Sequence, residues 1–162
     1  MIILGIDPGT ANTGYGVIKT IGGKKTKKLC RYIKCGLIKT TPDLPTGERL
    51  KILNNELSKV LKKYQPKVLA LESLFFFKNL KTALPVSQAS GVILLTAAKN
   101  KVPVCNFTPL QVKMTIAGHG WAEKEKVHKK LIKMLDLKEI PKPDDAADAL
   151  AIALTYVLKT SS

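Results

Sequence analysis

The chain has 162 residues, of which 45 % are hydrophobic and 24 % charged, a composition typical of one globular domain with enough material for a core. Its net charge of +15, from 27 basic and 12 acidic residues, favours a polyanionic partner such as nucleic acid. The apolar runs are too short to cross a bilayer and no signal-peptide pattern opens the chain, so we expect a cytoplasmic protein.

The first third of the chain predicts strands. Residues 1–7 form an almost continuous apolar run, and residues 14–20 and 29–40 alternate in a manner typical of strands. Because short turns separate these segments, they predict an antiparallel meander. Cys30 and Cys35 lie an odd number of residues apart, so we expect them on opposite sides of the third strand, as reduced thiols.

The remaining chain alternates helices with strands. A helix is predicted over 46–63 with Thr46 as its N-cap, followed by a strand at 67–72. The later elements are a strand at 102–106 and helices at 79–100, 109–117, 123–135 and 144–158. This order predicts an α/β domain over 1–158, with a mixed five-stranded sheet and helices on both faces, and a short C-terminal tail at 159–162.

Four of the few acidic residues lie within or beside the most apolar segments: Asp7, Glu72, Asp145 and Asp148. If strands one and four pair in parallel, Asp7 and Glu72 end at the same sheet edge, and the i, i+3 spacing puts the two later aspartates on one helix face. Buried carboxylates are costly unless they are paired or bind metal. Their convergence would suit Mg²⁺, which prefers oxygen ligands.

Each acid also has an ordinary structural reading. Asp7 alone, before Pro8-Gly9, is more often a turn-capping residue, and Asp145 is credible as helix-start electrostatics. Glu72 has the weakest structural reading. A shared site explains all of them together, and it is the interpretation that we carry forward.

Aromatic and basic residues flank these acids. One or more of Phe75–Phe77, directly after the acidic strand, is expected to be exposed and able to stack on bases. His119 and Trp121 lie in a glycine-containing loop. His119 is a candidate for proton transfer or phosphate contact, although an ordinary loop histidine is the more frequent case.

These residues together resemble the RuvC family of Holliday-junction resolvases (crossover junction endodeoxyribonucleases), a branch of the ribonuclease H-like nucleases. The resemblance covers residues 2 to about 155 in family order. The matching stretches are Gly5-Ile6-Asp7-Pro8-Gly9, Thr13-Gly14-Tyr15-Gly16-Val17, Leu71-Glu72, Phe75, Lys78-Asn79, Gln88-Ala89, Gly91-Val92, Gln111-Val112-Lys113, Gly118, Gly120, Ala122-Glu123-Lys124 and Asp145-Ala146-Ala147-Asp148-Ala149-Leu150-Ala151-Ile152-Ala153.

The resemblance implies a homodimeric endonuclease that cuts two opposed strands of a four-way DNA junction symmetrically, during recombination and repair. It implies Mg²⁺, for which Mn²⁺ can substitute, with two ions held by the four carboxylates, and branch-migration motor proteins as accompanying partners. It places Phe75, Lys78, Lys113 and Lys124 at DNA-contacting positions. The helix after Asn79 matches the dimer helix, so we expect Val86, Val92 and Leu95 at the dimer interface.

Two other classes of function remain alternatives at this stage. The glycine-containing stretch 9–16 is compatible with nucleotide-phosphate binding in an actin-like phosphotransferase, which would require a second lobe of similar size. A non-catalytic nucleic-acid binder would account for the positive charge. It would not require converging acids, because carboxylates oppose the approach of phosphate unless a metal intervenes.

Overall fold

The computed structural model describes residues 1–9, 11–21, 29–73 and 80–160. In chain order the elements are β1 (Ile2–Asp7), β2 (Asn12–Thr20), β3 (Cys30–Lys39), α1 (Thr46–Tyr64), β4 (Val68–Glu72), α2 (Leu80–Lys99), β5 (Val104–Phe107), α3 (Pro109–Ala117), α4 (Lys124–Leu135) and α5 (Asp144–Thr160). The strands form one sheet in the order β3-β2-β1-β4-β5. Strands β1 to β3 are antiparallel, whereas β4 and β5 run parallel to β1, which confirms the predicted mixed sheet.

The sheet separates two hydrophobic cores. Helices α1 and α2 cover one face, against Leu4 and Ile6 of β1, while α3, α4 and α5 cover the other face, against Ile3. This division follows from the alternation of side chains along a strand. Side chains at odd-numbered positions of β1 and at even-numbered positions of β4 therefore point toward α5. Asp7 and Glu72, at the ends of these strands, occupy such positions.

Helix α5 approaches the sheet very closely, and glycines make this approach possible. Gly5 of β1 and Gly14 and Gly16 of β2 all lie beneath it. A Cβ built on Gly14 would clash with the backbone carbonyl of Asp145, and one on Gly16 would lie 2.6 Å from the backbone nitrogen of Leu150. The helix contributes mainly small residues to this contact, so its backbone rests almost directly on β1 and β2.

Two local expectations are wrong. Helix α1 begins at Thr46 itself, and its N-cap is Pro45, which has no side chain to accept a backbone hydrogen bond. Cys30 and Cys35 both pack on the α5 side of the sheet, because the β2–β3 register shifts between the pairs Val17–Lys34 and Ile18–Tyr32. This bulge inserts one residue into β3 and reverses the parity of everything beyond it.

The observed ends of the helices and strands agree with the predicted ends to within a few residues. Helix α5 extends to Thr160, two residues further than its pattern indicated, and the division into a domain over 1–158 and a tail stays a prediction. Within the described ranges, no helix combines the length and apolar character needed to span a membrane.

The glycine contact beneath α5 predicts the effect of Gly16→Ala. An added methyl group meets backbone atoms of α5, which cannot move aside as a flexible side chain would, so we expect a loss of about 1–3 kcal/mol in unfolding free energy. Gly47→Ala is the matched control, since Gly47 lies in α1 with open space around it and alanine favours helix. Urea denaturation measures both. A Gly16→Ala protein as stable as the parent would show that α5 does not rest on β2 in this way.

Candidate active site

Two adjacent parallel strands bring Asp7 and Glu72 to one edge of the sheet. The register pairs Ile6 with Leu71, so Asp7 and Glu72 are the next residues on their strands. Both have the parity that faces α5, because Ile3 and Val68, which precede them by an even number of residues, belong to the core on that side. The two carboxylates are therefore neighbours, as predicted.

The first turns of α5 bring the other two carboxylates to the same edge. Gly14, which pairs with Asp7 across β1 and β2, lies directly beneath Asp145. Asp148 follows one helical turn later and acts electrostatically on both Asp7 and Glu72. The structure thus gathers all four predicted acids, with the close packing of α5 on glycine setting their separation.

Burial and mutual repulsion strongly perturb Asp7. Removal of its carboxyl from water, together with the negative charges of Glu72, Asp148 and Asp145, raises its pKa from 3.8 to about 8. At neutral pH this carboxyl therefore carries a proton while the site is metal-free. A carboxylic acid that stays neutral near pH 7 indicates a site built to hold positive charge.

Asp7 and Glu72 share that proton through a hydrogen bond. Burial and repulsion from Asp148 raise the pKa of Glu72, whereas the bond to Asp7 and the nearby charge of Lys124 lower it. The same bond raises the pKa of Asp7. A hydrogen bond between two carboxyl groups requires one proton, so Asp7 and Glu72 act as a pair that shares it.

Asp148 has two cationic or polar neighbours on α4. Its Oδ2 atom lies 2.8 Å from the Lys124 Nζ, and its Oδ1 atom lies 3.4 Å from the His128 Nε2. Lys124 also contacts Asp144 at 3.2 Å. Burial lowers the pKa of Lys124, but its bonds with Asp148 and Asp144 outweigh that effect, so its pKa is raised overall.

His128 was missed by the sequence analysis. Its side chain is largely buried, at 13 % exposure, and it reaches Asp148 from the helix that carries Lys124. The available signal was its spacing, since residues at i and i+4 share one face of a helix. The spacing predicts a contact between His128 and Asp148 only once α4 is known to pack against α5 at Asp148.

A cavity of about 200 Å³ opens beside these groups. Its polar lining comes from Glu72, Asp148, Lys113 and Lys124, and apolar residues of α3, α4 and α5 form its floor. Two acids and two lysines thus face the same space. This arrangement suits a phosphate group whose oxygens would contact cations held by the acids and, on its other sides, the two lysines.

The donor set fits a hard divalent cation, because every acidic ligand offers oxygen and no cysteine belongs to the cluster. Within the described part of the chain, however, no three histidine, cysteine, aspartate or glutamate side chains are arranged to hold an ion as they stand. Asp148 is instead in contact with Lys124, at 2.8 Å.

The other predicted site residues divide into three groups. Lys113 and Lys124 line the cavity, whereas His119 lies against Lys126, with 2.8 Å between their nitrogens. Phe75 and Lys78 fall outside the described residues. Of the residues expected at a dimer interface, Leu95 is 53 % exposed, Val86 is half-buried, and Val92 packs partly against the core.

The perturbed pKa of Asp7 predicts how stability depends on pH. Between pH 3.8 and about 8 the folded protein holds a proton that the unfolded chain has released, so unfolding free energy falls as pH rises through this range. Asp7→Asn, which keeps the neutral form, should raise stability in EDTA at pH 7 by about 1 kcal/mol or more.

Denaturant titrations of the parent and of Asp7→Asn at pH 5 and pH 8 measure this effect. The variant should show the weaker dependence on pH. Asp43→Asn, in an exposed loop, is the matched control and should change neither stability nor its dependence on pH. Destabilisation by Asp7→Asn at pH 8 would contradict a protonated, repelled Asp7.

Comparisons with known proteins agree with this geometry. The family model described as crossover junction endodeoxyribonuclease RuvC matches residues 3–156. A crossover junction endodeoxyribonuclease RuvC from Fusobacterium nucleatum is 49 % identical over 157 residues, which is 97 % of this chain and 80 % of that protein.

Solved structures give the same result. Thermus thermophilus RuvC has a TM-score of 0.91 and 38 % identity, over 99 % of this chain and 96 % of that one. The structure of T. thermophilus RuvC in complex with Holliday junction substrate has a TM-score of 0.90 and 38 % identity, over 99 % of this chain and 94 % of that one. The ribonuclease H-like fold that the resemblance implied is confirmed, and the chain belongs to the RuvC family of crossover junction endodeoxyribonucleases.

Proposed function

We propose that this protein is a homodimeric Mg²⁺-dependent endonuclease that resolves four-way DNA junctions by paired, symmetric phosphodiester hydrolysis. The observation that carries the proposal is the gathering of Asp7, Glu72, Asp145 and Asp148 at one edge of the sheet, in a protein of net charge +15. Membership in this nuclease family implies dependence on a divalent metal ion. The Holliday-junction complex of the 38 % identical relative supports four-way DNA as the substrate.

The four carboxylates are the groups that would hold the metal. We expect two Mg²⁺ ions, for which Mn²⁺ can substitute, because four acids supply more negative charge than one divalent ion balances. Bound there, such ions would stabilise charge on the attacking and leaving oxygens of the phosphodiester. To act as ligands, Asp7 must release its proton and Asp148 must exchange Lys124 for the ion.

The lysines contribute binding and charge balance. Lys113 and Lys124 line the cavity from α3 and α4, on either side of the acids. If a metal ion replaced it at Asp148, the ammonium of Lys124 would keep its contact with Asp144 at 3.2 Å and could also contact a phosphate oxygen of the strand to be cut. Because arginine is scarce in this chain, we expect phosphate contacts to dominate over bidentate base readout.

Phe75 and Lys78 complete the proposed DNA surface on sequence grounds. Phe75 follows Glu72 by three residues and Lys78 by six. An aromatic ring there would stack on bases that separate at the crossover, which offsets part of the unstacking cost. This role for Phe75 is separate from metal binding.

Paired cuts need two active sites related by a two-fold axis. Helix α2 offers an apolar surface for this, since Leu84 is 67 % exposed and Leu95 53 % exposed. We assign the dimer interface to this surface, with Val86 and Val92 at its margin. Branch-migration motor proteins are the further partners that we propose, and a cytoplasmic location stays a prediction.

The cleavage test compares a mobile four-way junction with a linear duplex of the same sequence. We expect cutting of the junction alone, in Mg²⁺ or Mn²⁺ and not in EDTA, while Ca²⁺ should support binding with little cleavage because its geometry is looser. Cleavage of only the linear duplex would indicate a general ribonuclease H-like nuclease instead.

Asp7→Asn and Asp148→Asn test the assigned carboxylates. Each should abolish cleavage and leave junction binding equal or tighter, because Asp148→Asn removes a negative charge near phosphate and Asp7→Asn keeps the neutral form of that side chain. Glu56→Gln is the control, since Glu56 lies on α1, across the sheet, in an exposed pair with Lys59. Near-normal turnover by either aspartate variant would remove that residue from the ligand set.

Leu95→Glu tests the dimer surface. A charge on this exposed position should block association, because it would be desolvated at an apolar interface. Sedimentation at micromolar concentration should show a dimer for the parent and a monomer for the variant. Leu29→Glu, a change at a similarly exposed leucine at the far end of the sheet, should leave the dimer intact. A monomeric parent would contradict the assignment.

A further inference from the structure

The loop between α3 and α4 holds a tryptophan in solvent. Trp121 is 90 % exposed, more than any other large hydrophobic residue in the described part of the chain. Leu110 and Met114 on α3, at 53 % and 54 % exposure, form an apolar surface next to this loop. None of the contacts in the proposed catalytic site accounts for these side chains. A large exposed aromatic with apolar neighbours marks an interaction surface.

The loop is fixed at both ends. Gly118 caps α3 at φ 92°, with its N–H bonded to the Met114 carbonyl at 3.0 Å. Gly120 lies so close to Leu110 and Met114 that a Cβ there would clash with Leu110. The chain therefore rests on α3 just before Trp121, whose side chain is exposed to solvent.

A hydrogen bond also joins the loop to α4. The Lys126 ammonium has only donors, so it donates to the His119 Nε2 at 2.8 Å. Together with the glycine contacts, this bond restrains the loop that carries Trp121. A preorganised aromatic loses little conformational entropy on binding, which favours recognition.

The surroundings of Trp121 are those of a polyanion site. Lys124 follows it by three residues and lines the catalytic cavity, as does Lys113, which adjoins Met114. Lys126 lies against His119 in the same loop region. Of the two glutamates nearby, Glu125 is paired with Lys129 at 2.7 Å, and Glu123 is the N-cap residue of α4. The cations are thus continuous with the cavity.

Distance along the chain limits which nucleotides Trp121 can reach. Three residues span at most about 11 Å, so its backbone lies within that distance of Lys124. A DNA strand advances about 3.4 Å per nucleotide along a duplex axis. Trp121 therefore lies within reach of nucleotides about three positions from a phosphate held in the cavity.

We propose that Trp121 is a second aromatic DNA contact, which packs its indole on the sugar and base of a nucleotide flanking the scissile phosphate. This inference rests on the proposed function. Aromatic contact of this kind is tolerant of sequence, because every base presents a π face. The continuity of the cationic surface with the cavity favours DNA over a protein partner as the occupant.

The test uses the fluorescence of the protein itself, because Trp121 is its only tryptophan. Titration with a four-way junction in Ca²⁺, where cleavage is suppressed, should quench the emission, and bound DNA should shield the indole from acrylamide. A linear duplex at equal concentration provides the comparison. Unchanged emission and unchanged acrylamide quenching at saturating junction would overturn the proposal.

Variants separate the aromatic contact from general effects. Trp121→Ala should weaken junction binding about ten-fold, measured by anisotropy of labelled DNA, while Trp121→Phe should recover most of the affinity. Leu29→Ala, at an exposed leucine on the opposite end of the sheet, should bind normally. Equal affinity of Trp121→Ala and the parent would overturn the proposal and leave the surface to a protein partner.

The tests distinguish a failure of this inference from a failure of the proposed function. If the parent cuts four-way junctions while Trp121 stays accessible to acrylamide in the complex, this inference fails and the proposed function stands. If the parent neither cuts nor binds junctions, the proposed function fails first.

Discussion

Burial of carboxylates, together with repulsion among them, is the constraint on which the candidate site depends. Asp7 lies at the end of a buried strand, where removal from water and the charges of Glu72, Asp145 and Asp148 all oppose its ionisation. Such a cluster would separate if the chain were free to relax. It remains because α5 rests on Gly5, Gly14 and Gly16, and the core on that face anchors the helix along its whole length. The packing of α5 on the sheet therefore offsets the electrostatic free energy that it costs to hold the acids together, a pattern expected of functional sites.

Most of the fold follows from the pattern of residues. Apolar alternation located every strand and helix, and the parity of Asp7 and Glu72 follows from counting along β1 and β4, because a strand places alternate side chains on alternate faces. The convergence of the acids also required parallel pairing of β1 and β4 and a helix across them. A right-handed crossover through α1 permits that pairing, and the register shows it.

What could not be predicted depends on contacts between distant segments. The bulge in β3 lies at a register shift against β2, and no local pattern in residues 29–40 reveals it. His128 is a partner of Asp148 only because α4 crosses α5 at that point, a tertiary fact. Thr46 failed as an N-cap because Pro45, with its extended backbone, already occupies that position. The bulge and the His128 contact depend on tertiary structure, whereas the N-cap is set locally by Pro45.

The solvent exposure of the Lys124–Asp148 pair leaves Asp148 accessible to a cation. Lys124 contacts Asp148 at 2.8 Å, but its side chain is 49 % exposed and that of Asp148 is 32 % exposed. Ion pairs with this much solvent contribute at most about 1 kcal/mol, so a divalent cation can replace the ammonium at little cost. A fully buried pair would stabilise the unliganded state strongly and oppose metal binding.

The position of Lys124 then links the two halves of the proposed chemistry. In the unliganded protein its charge reduces repulsion among the acids, and in a complex the same ammonium lies at the rim of the cavity where phosphate enters. Trp121 lies three residues before Lys124, the first residue of α4. The residue proposed to contact DNA and the lysine that contacts Asp148 therefore belong to the same short segment of chain. DNA that draws Lys124 away from Asp148 would therefore favour metal binding, and metal at Asp148 would free Lys124 for DNA. By thermodynamic linkage, the two ligands must strengthen one another equally.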